Sequence, residues 1–168
     1  MVRECLVGLA LVSTTGCSLV LDFSNSAIPI DAQIDAPYTQ EQCDYKEPNE
    51  SFDTAQVVTS ADTGTGAICA GEAEDHDFYK FSVPGGTTKV AVKVTFMNRP
   101  SGDLDLRLAD STGVMIAASR GFGNEESIVC PAASPSCPTL AAGEYIFEVF
   151  PAIAGAVNFY DFQITLTP

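Results

Sequence analysis

Apolar and polar side chains alternate residue by residue over much of this chain, and this alternation limits the possible folds more than any other feature. It is clearest in residues 79–83, 90–96, 104–108 and 160–166. A period of two places the apolar side chains on one face of a β-strand. Turn-forming sequences separate the stretches: PGGT, NRPSGD, DSTG, AAGE and AIAGA. The sequence therefore predicts an all-β fold, an antiparallel, jelly-roll-like β-sandwich of about eight strands, with one or two helical turns at SFDTAQVV.

The first 42 residues differ in composition from the alternating part. Arg3 is followed by the apolar run CLVGLALV, which has the length of a signal-peptide core and is far too short to span a bilayer. The sequence STTGC resembles a bacterial lipobox ending in Cys17, although Thr14 stands where that pattern prefers Leu. We predict a lipoprotein signal peptide at 1–16, a lipid-anchored flexible tether at 17–42 and a domain at 43–168. The alternative is a buried first strand with an incidental cysteine.

These assignments predict an exported protein that is anchored in the cell envelope through a lipid on Cys17. Ser18 follows the cysteine, which in many diderm bacteria directs a lipoprotein to the outer membrane. The formal net charge is −14, whereas nucleic-acid binding requires cations at the phosphates. We therefore expect no nucleic-acid partner. The expected partners are the membrane, through the lipid, and an envelope or extracellular protein or a polysaccharide.

The cysteine count agrees with export. With one cysteine in the signal peptide and one lipidated, four remain, and an even number suggests disulfides in an exported domain. Three pairings are possible. Cys130 and Cys137 bracket the short turn-forming loop PAASPS, so we predict that they pair with each other and that Cys43 pairs with Cys69. Zinc is the alternative, but the chain has no Cys-x-x-Cys pair and a single histidine.

Catalytic patterns are weak in this sequence. Nucleophilic hydrolysis requires an activated serine or cysteine within reach of a base, and no Gly-x-Ser-x-Gly motif is present. His76 is the only imidazole, and its acidic surroundings in GEAEDHDFYKF favour an exposed turn residue. With 22 acids in the chain, two neighbouring carboxylates say almost nothing about glycoside hydrolysis. We predict that the protein is not an enzyme; a small hydrolase using the acidic cluster is the weaker hypothesis.

Four motifs follow one another in residues 43–168: CDYKEPNESFDTA, AEDHDFYKFSVPGG, DLDLRLADSTG and LAAGEYIFEVF. This succession resembles the bacterial pre-peptidase C-terminal domain, a small β-sandwich often appended to secreted proteases. Glu50 replaces the Asp that is commoner in that family. The three leucines of the DLDLRL motif are expected to enter the core. The predicted signal peptide and tether take the place of a peptidase, so the resemblance implies a scaffold and a site in a stand-alone module, and no proteolysis.

The first two motifs contain the candidate metal site. Glu47, Asn49 and Glu50 offer two carboxylates and an amide within four residues, and Asp75 and Asp77 offer two more carboxylates. Alternation along a strand directs both aspartates to one side and the intervening histidine to the other. Ca²⁺ takes six to eight oxygen ligands, and the resemblance implies that these positions bind it and that the ion orders the segment before the sandwich. The alternative is a solvated acidic turn in which Asn49 caps the short helix.

The predicted function is a non-catalytic, surface-anchored and calcium-stabilised binding or adhesion module of the bacterial envelope. The alternative is a structural or assembly lipoprotein whose partner is another envelope protein or a secreted peptidase. Exposed apolar side chains such as Phe122 or Phe150 would supply the contact with such a partner.

Overall fold

The structure is a computed structural model and describes Cys43 and residues 47–59, 63–69, 75–97 and 102–168. The predicted signal peptide at 1–16, the lipidation site Cys17 and the tether at 17–42 lie outside the described residues. Among the residues that are described, no helix is long and apolar enough to cross a membrane.

β-strands dominate the described part of the chain. Eight of them have five or more residues: β2 (Thr63–Ile68), β3 (Asp77–Val83), β4 (Lys89–Phe96), β5 (Leu104–Asp110), β6 (Met115–Ser119), β7 (Glu125–Cys130), β10 (Gly143–Pro151) and β11 (Asn158–Thr167). Three further strands have two residues each: β1 (Gln56–Val57), β8 (Ala132–Ala133) and β9 (Ser136–Cys137). The prediction of an all-β fold with about eight strands is confirmed.

The longer strands form the two sheets of a sandwich. One sheet has five strands in the order β1-β3-β10-β5-β6, and the other has four in the order β2-β11-β4-β7, while β8 and β9 pair separately. Neighbouring strands are antiparallel except β1 and β3, which run parallel. Because several consecutive strands lie in different sheets, the chain crosses repeatedly from one layer to the other, as in other β-sandwiches.

The helical prediction for SFDTAQVV is wrong. Ser51 begins a turn in which Thr54 N donates to the Ser51 carbonyl at 3.1 Å, and the two hydroxyls bond to each other and to the backbone amides of the turn. Polar groups are thereby satisfied locally without a helix. The chain then pairs with the edge of the sheet, where Val58 N donates to the Lys80 carbonyl at 2.9 Å. This pairing outweighs the weak helix propensity of a segment rich in β-branched residues.

Aromatic rings join the two sheets. Tyr79 on β3 lies 4.9 Å from Phe147 on β10 between ring centroids, and Phe162 on β11 of the other sheet lies 4.7 Å from Tyr79 and 5.4 Å from Phe147. All three residues are buried, as are the three leucines of the DLDLRL motif, which confirms their predicted place in the core. Removing such a side chain from water contributes roughly 1.5–3 kcal/mol, so these contacts stabilise the sandwich as a unit.

Both predicted cysteine pairs lie at disulfide-bond distance. The sulfur atoms of Cys43 and Cys69 are 2.05 Å apart, and their Cα atoms are 5.9 Å apart. The Cα atoms of Cys130 and Cys137 are 5.0 Å apart. The first bridge joins the segment before β1 to the end of β2, across 26 residues of sequence. Each disulfide restricts the unfolded chain. In the chain-entropy description, bridges that close loops of these two lengths add about 3.5 and about 2.4 kcal/mol to the free energy of unfolding.

Candidate metal centre

Three carboxylate side chains meet where β3 begins. Asp77 is the first residue of β3, Asp75 lies two residues before it, and Glu47 comes from the segment that precedes β1. One oxygen atom from each residue lies within 4.8 Å of those of the other two. Two ligands of one Ca²⁺ are at most about 5.2 Å apart, since each lies about 2.3–2.6 Å from the ion. The three carboxylates are therefore close enough to share a cation.

Asn49 adds a buried amide to this group. Its side chain has no exposed surface, and neither Oδ1 nor Nδ2 has a hydrogen-bond partner among the described residues. The amide faces Asp77, and this contact favours the ionised carboxylate although its geometry falls short of a full hydrogen bond. Leaving a buried polar group unpaired costs roughly 1–3 kcal/mol. A cation held by Oδ1 would satisfy this oxygen, and an ordinary acidic turn would not.

Glu50 is the one predicted ligand that stands apart. It is exposed and does not belong to the group of three carboxylates within 4.8 Å. Its charge nevertheless disfavours ionisation of Glu47, Asp75 and Asp77. The structure thus brings four of the five predicted ligands together and leaves Glu50 at the rim.

Hydrogen bonds from separate parts of the chain hold the cluster. Each carboxylate accepts one of them: Glu47 Oε2 from Asn49 N at 3.0 Å, Asp75 Oδ2 from Cys69 N at 2.7 Å, and Asp77 Oδ2 from the Tyr160 hydroxyl. The backbone of Phe78 donates to the Asn49 carbonyl at 2.9 Å, which fixes the entry segment along the start of β3. The Cys43–Cys69 bridge attaches that segment to β2 at the same place.

Burial and mutual repulsion raise the pKa values of the three carboxyl groups. Burial, followed by the charge of Asp77, raises the pKa of Glu47 from 4.5 to about 8. Burial raises the pKa of Asp77 from 3.8 to about 7, although the hydrogen bond from Tyr160 acts in the opposite direction. Burial also raises the pKa of Asp75 above its usual value of 3.8. The cluster therefore favours the binding of a positive charge, either a proton or a metal cation.

His76 lies on the other side of β3, as the alternation predicts, but the interpretation of it as an exposed turn residue is wrong. Its Nδ1 atom is 2.7 Å from Oε1 of the buried Glu148 on β10. The Nη1 atom of Arg107 on β5 is 3.0 Å from the other oxygen of the same carboxylate. Sequence reasoning missed this network because its members are more than 30 residues apart along the chain. The sequence did contain one signal for this network: Arg107 and Glu148 are charged residues at outward positions of strands that are otherwise mostly apolar.

Phe150 belongs to the same outer face and does not provide an exposed contact. Only 7% of it is exposed, since the guanidinium groups of Arg107 and Arg120 lie over its ring at 4.7 and 5.4 Å from the centroid. Phe122, in contrast, is 94% exposed in the loop between β6 and β7. Of the two predicted apolar contacts, the structure retains Phe122 alone.

Comparison with known protein families connects this geometry to one of them. The family profile described as bacterial pre-peptidase C-terminal domain matches residues 75–151. Over these residues the sandwich resembles a pre-peptidase C-terminal domain. The predicted resemblance is thereby confirmed, and the family consists of non-catalytic β-sandwich modules, which agrees with the expectation of a non-enzyme. The match includes Asp75 and Asp77 but begins after Glu47 and Asn49, which the fold brings to them.

A solved structure shows a similar architecture. The pre-peptidase C-terminal domain of a collagenase from Bacillus anthracis is 16% identical, with a TM-score of 0.52 over 71% of this chain and 98% of that chain. At this identity the likeness shows the fold alone. An arabinose-bound GH51 α-L-arabinofuranosidase is 15% identical over 62% of this chain and 22% of that chain, and its TM-score of 0.28 is too low to indicate a shared fold. No curated protein matches the chain.

The raised pKa values predict that stability depends on pH when a chelator removes divalent cations. Glu47 and Asp77 have higher pKa values in the folded than in the unfolded chain, so the folded state binds more protons between about pH 4 and pH 8. Their contribution to stability is fully present below about pH 4 and is lost as the pH rises through about 7 to 8. We expect the melting temperature in EDTA to fall across this range.

A matched pair of variants assigns this decline to the cluster. Burial also raises the pKa of Asp105, to about 6, so its effect is complete before that of Asp77. Asp77→Asn should flatten the decline above pH 6, whereas Asp105→Asn should preserve it, as measured by calorimetric melting at successive pH values. A melting temperature that stays constant or rises between pH 6 and pH 8 would contradict the raised pKa values.

Proposed function

We propose that the domain is a non-catalytic, calcium-stabilised binding module of the bacterial cell envelope. The observation that carries the calcium assignment is the buried, unpaired Asn49 amide beside the carboxylates of Glu47, Asp75 and Asp77. These four side chains supply three carboxylates and an amide oxygen. Backbone carbonyls, water and Glu50 at the rim can complete the six to eight oxygen ligands that Ca²⁺ takes.

The donor atoms favour calcium over transition metals. Carboxylate and amide oxygens suit hard cations, whereas zinc prefers thiolate sulfur and imidazole nitrogen. Four cysteines are paired in disulfides, and the imidazole of His76 faces Glu148 on the opposite side of β3. In the part of the chain that the structure describes, the ligands that zinc prefers are therefore engaged elsewhere. Mg²⁺ requires near-ideal octahedral geometry, while Ca²⁺ tolerates the irregular donor sets that a loop and a strand provide together.

The binding role is supported by the domain family and by one surface loop. Pre-peptidase C-terminal domains are non-catalytic modules, so a contact surface is a more suitable function for this sandwich than a reaction. Phe122 stands 94% exposed in the loop that joins β6 to β7. The buried Glu126 holds this loop by accepting bonds from Gly121 N at 2.7 Å and from the Ser119 hydroxyl at 2.5 Å. Phe96 N also donates to the Asn124 carbonyl at 2.9 Å.

This loop favours a second candidate function, a structural or assembly lipoprotein that binds another envelope protein. A loop that is already ordered loses less conformational entropy when it binds. An exposed aromatic ring on such a loop can fill an apolar pocket of a protein partner, and aromatic residues contribute strongly at the centres of interfaces. For the first candidate function, the binding module, the ligand considered is an envelope polysaccharide, whose many hydroxyl groups form hydrogen bonds that do not require one apolar side chain.

Calcium should stabilise the wild-type domain by a modest and measurable amount. With a Kd of roughly 0.1–1 mM, usual for extracellular modules, about 1 mM calcium adds about 0.4–1.4 kcal/mol to the free energy of unfolding. For a domain of this size, the melting temperature then rises by about 1–6 °C. We expect this rise in the wild type and its absence in Asp75→Asn and Glu47→Gln, as measured by differential scanning calorimetry.

Glu144→Gln is the matched control for these variants. It removes one carboxylate from β10 opposite Ser82, at the far end of β3 from the cluster, and should leave the calcium response unchanged. Wild-type melting curves that do not respond to several millimolar calcium, together with no heat of calcium binding, would leave only an acidic turn.

Replacement of Phe122 should distinguish the two candidate functions. If a protein partner binds through this ring, Phe122→Ser should lose the partner in pull-downs from envelope extracts. Val114→Ser removes another exposed apolar side chain, 61% exposed, from the hairpin at the other end of β6 and should keep the partner. Binding of envelope polysaccharide that neither substitution alters would instead favour the first candidate function.

We also propose that a lipid on Cys17 anchors the protein in the outer membrane. The support is the order of Arg3, an apolar run and Gly16-Cys17 at the N-terminus. The mature protein should partition into the detergent phase, and Cys17→Ala should release it or block processing. An intact Met1 on the mature protein, detected by mass spectrometry, would overturn the anchor.

A further inference from the structure

A chain of buried hydroxyl groups leads from the candidate metal centre into the core. The Tyr160 hydroxyl donates to Asp77 Oδ2, and the hydroxyl oxygens of Tyr160 and Tyr79 are 2.7 Å apart. Tyr160 has one hydroxyl proton, which it gives to the carboxylate, and it can accept a further bond. Tyr79 is therefore the donor to Tyr160, and the hydrogen bonds run from Tyr79 through Tyr160 to Asp77.

This chain connects the two sheets. Asp77 and Tyr79 belong to β3 in the five-stranded sheet, whereas Tyr160 belongs to β11 in the four-stranded sheet. All three residues are buried, with at most 3% of their surface exposed. Hydrogen bonds in such surroundings are stronger than in water and reinforce one another along a chain. A side chain from one sheet therefore holds a candidate metal ligand of the other.

Gly66 leaves the space that the chain needs. It lies on β2 directly opposite Tyr160 in the strand register. A Cβ atom at this position would overlap the Tyr160 hydroxyl and ring and would lie 2.7 Å from the Tyr79 hydroxyl oxygen. The absence of a side chain at Gly66 is thus a steric condition for the contact between the sheets.

We propose that Tyr160 is a positioning residue for the cation site, and that the chain from Tyr79 through Tyr160 to Asp77 couples cation binding to the packing of the two sheets. This inference rests on the calcium site proposed above. The Tyr160 hydroxyl fixes one oxygen of Asp77 and so holds the carboxylate in a single orientation relative to Glu47 and Asp75. Groups that orient a metal ligand in this way typically change metal affinity by about 10-fold to 100-fold when they are removed.

The coupling is reciprocal. If an ordered contact between the sheets favours cation binding, then cation binding must favour that contact by the same factor. Calcium should therefore slow amide hydrogen exchange on β11, which supplies none of the proposed ligands, as well as on β3. In Tyr160→Phe, the protection by calcium should remain on β3 and be lost on β11.

Calcium titration by calorimetry, well below the melting temperature, measures the positioning role. Tyr160→Phe removes only the hydroxyl and should weaken calcium binding by about 10-fold or more. Tyr79→Phe is the matched control, because it also deletes a buried hydroxyl but leaves the bond from Tyr160 to Asp77 in place. It should lower stability while changing calcium affinity clearly less than Tyr160→Phe.

A spectroscopic signal provides a readout that general destabilisation would not alter. The chain has no tryptophan and five tyrosines, so near-ultraviolet absorbance above that of phenylalanine reports tyrosine. Calcium bound to Asp77 changes the charge on the carboxylate that accepts the Tyr160 hydrogen bond, and it should therefore produce a tyrosine difference spectrum in the wild type. Tyr160→Phe should lose this difference spectrum even when calcium saturates the variant.

The outcomes separate this inference from the proposed function. No calcium binding by the wild type would overturn both the site and the inference. Calcium binding by the wild type with unchanged affinity in Tyr160→Phe would overturn the inference alone and leave the site standing. An equal loss of affinity in Tyr79→Phe would assign the effect to loosening of the core and would also overturn the positioning role.

Discussion

The inward row of side chains on β3 is the constraint on which the rest of the structure depends. Tyr79, Phe81 and Val83 of this row pack into the core between the sheets. Because side chains on one face of a strand recur at every second residue, Asp77 must point inward as well. A carboxylate is thereby forced to the seam between the two sheets, where 1% of it is exposed. The alternation that packs the apolar side chains of β3 into the core therefore also buries the carboxylate at the beginning of the strand.

A buried carboxylate must be compensated, and the surrounding groups do so only in part. Tyr160 donates a hydrogen bond to Asp77, and the Asn49 amide lies beside it. Glu47 and Asp75 then add negative charge instead of removing it. Without a positive charge, this arrangement raises pKa values and leaves an amide unpaired. A divalent cation would offset the repulsion and satisfy the amide oxygen at once, which is why we propose calcium for this cluster.

The outer face of the five-stranded sheet solves a similar problem with protein groups alone. Glu148 is buried there, but His76 and Arg107 face its two oxygens, and Arg107 also covers the ring of Phe150. The guanidinium group of Arg107 therefore neutralises this carboxylate, and the His76 imidazole bonds to its other oxygen. None of the contacts found for Glu47, Asp75 or Asp77 is an ion pair with lysine or arginine in the described part of the chain. By this contrast, the charges around Glu148 form a structural network, whereas the carboxylates at the beginning of β3 form a candidate metal centre.

Local patterns in the sequence were enough to predict the strands, both cysteine pairs and, among five predicted ligands, the four that the structure brings together at the candidate site. Period-two alternation and local turns can be read from neighbouring residues, and Asp75 and Asp77 share a face by the same rule. Sequence reasoning failed at SFDTAQVV, where pairing with the edge of β3 replaced a predicted helix. It also failed at His76, where the partner Glu148 lies 72 residues away.

The contact of Tyr160 with Asp77, and the space that Gly66 leaves for it, depend on how the two sheets pack and could not be predicted from local patterns. The tertiary structure also decided that Asn49 is buried without a partner among the described residues, while Glu50 stays at the rim. The physical reason is that these contacts join residues of different strands or sheets. Their distances depend on how the layers pack and not on any periodicity along the chain.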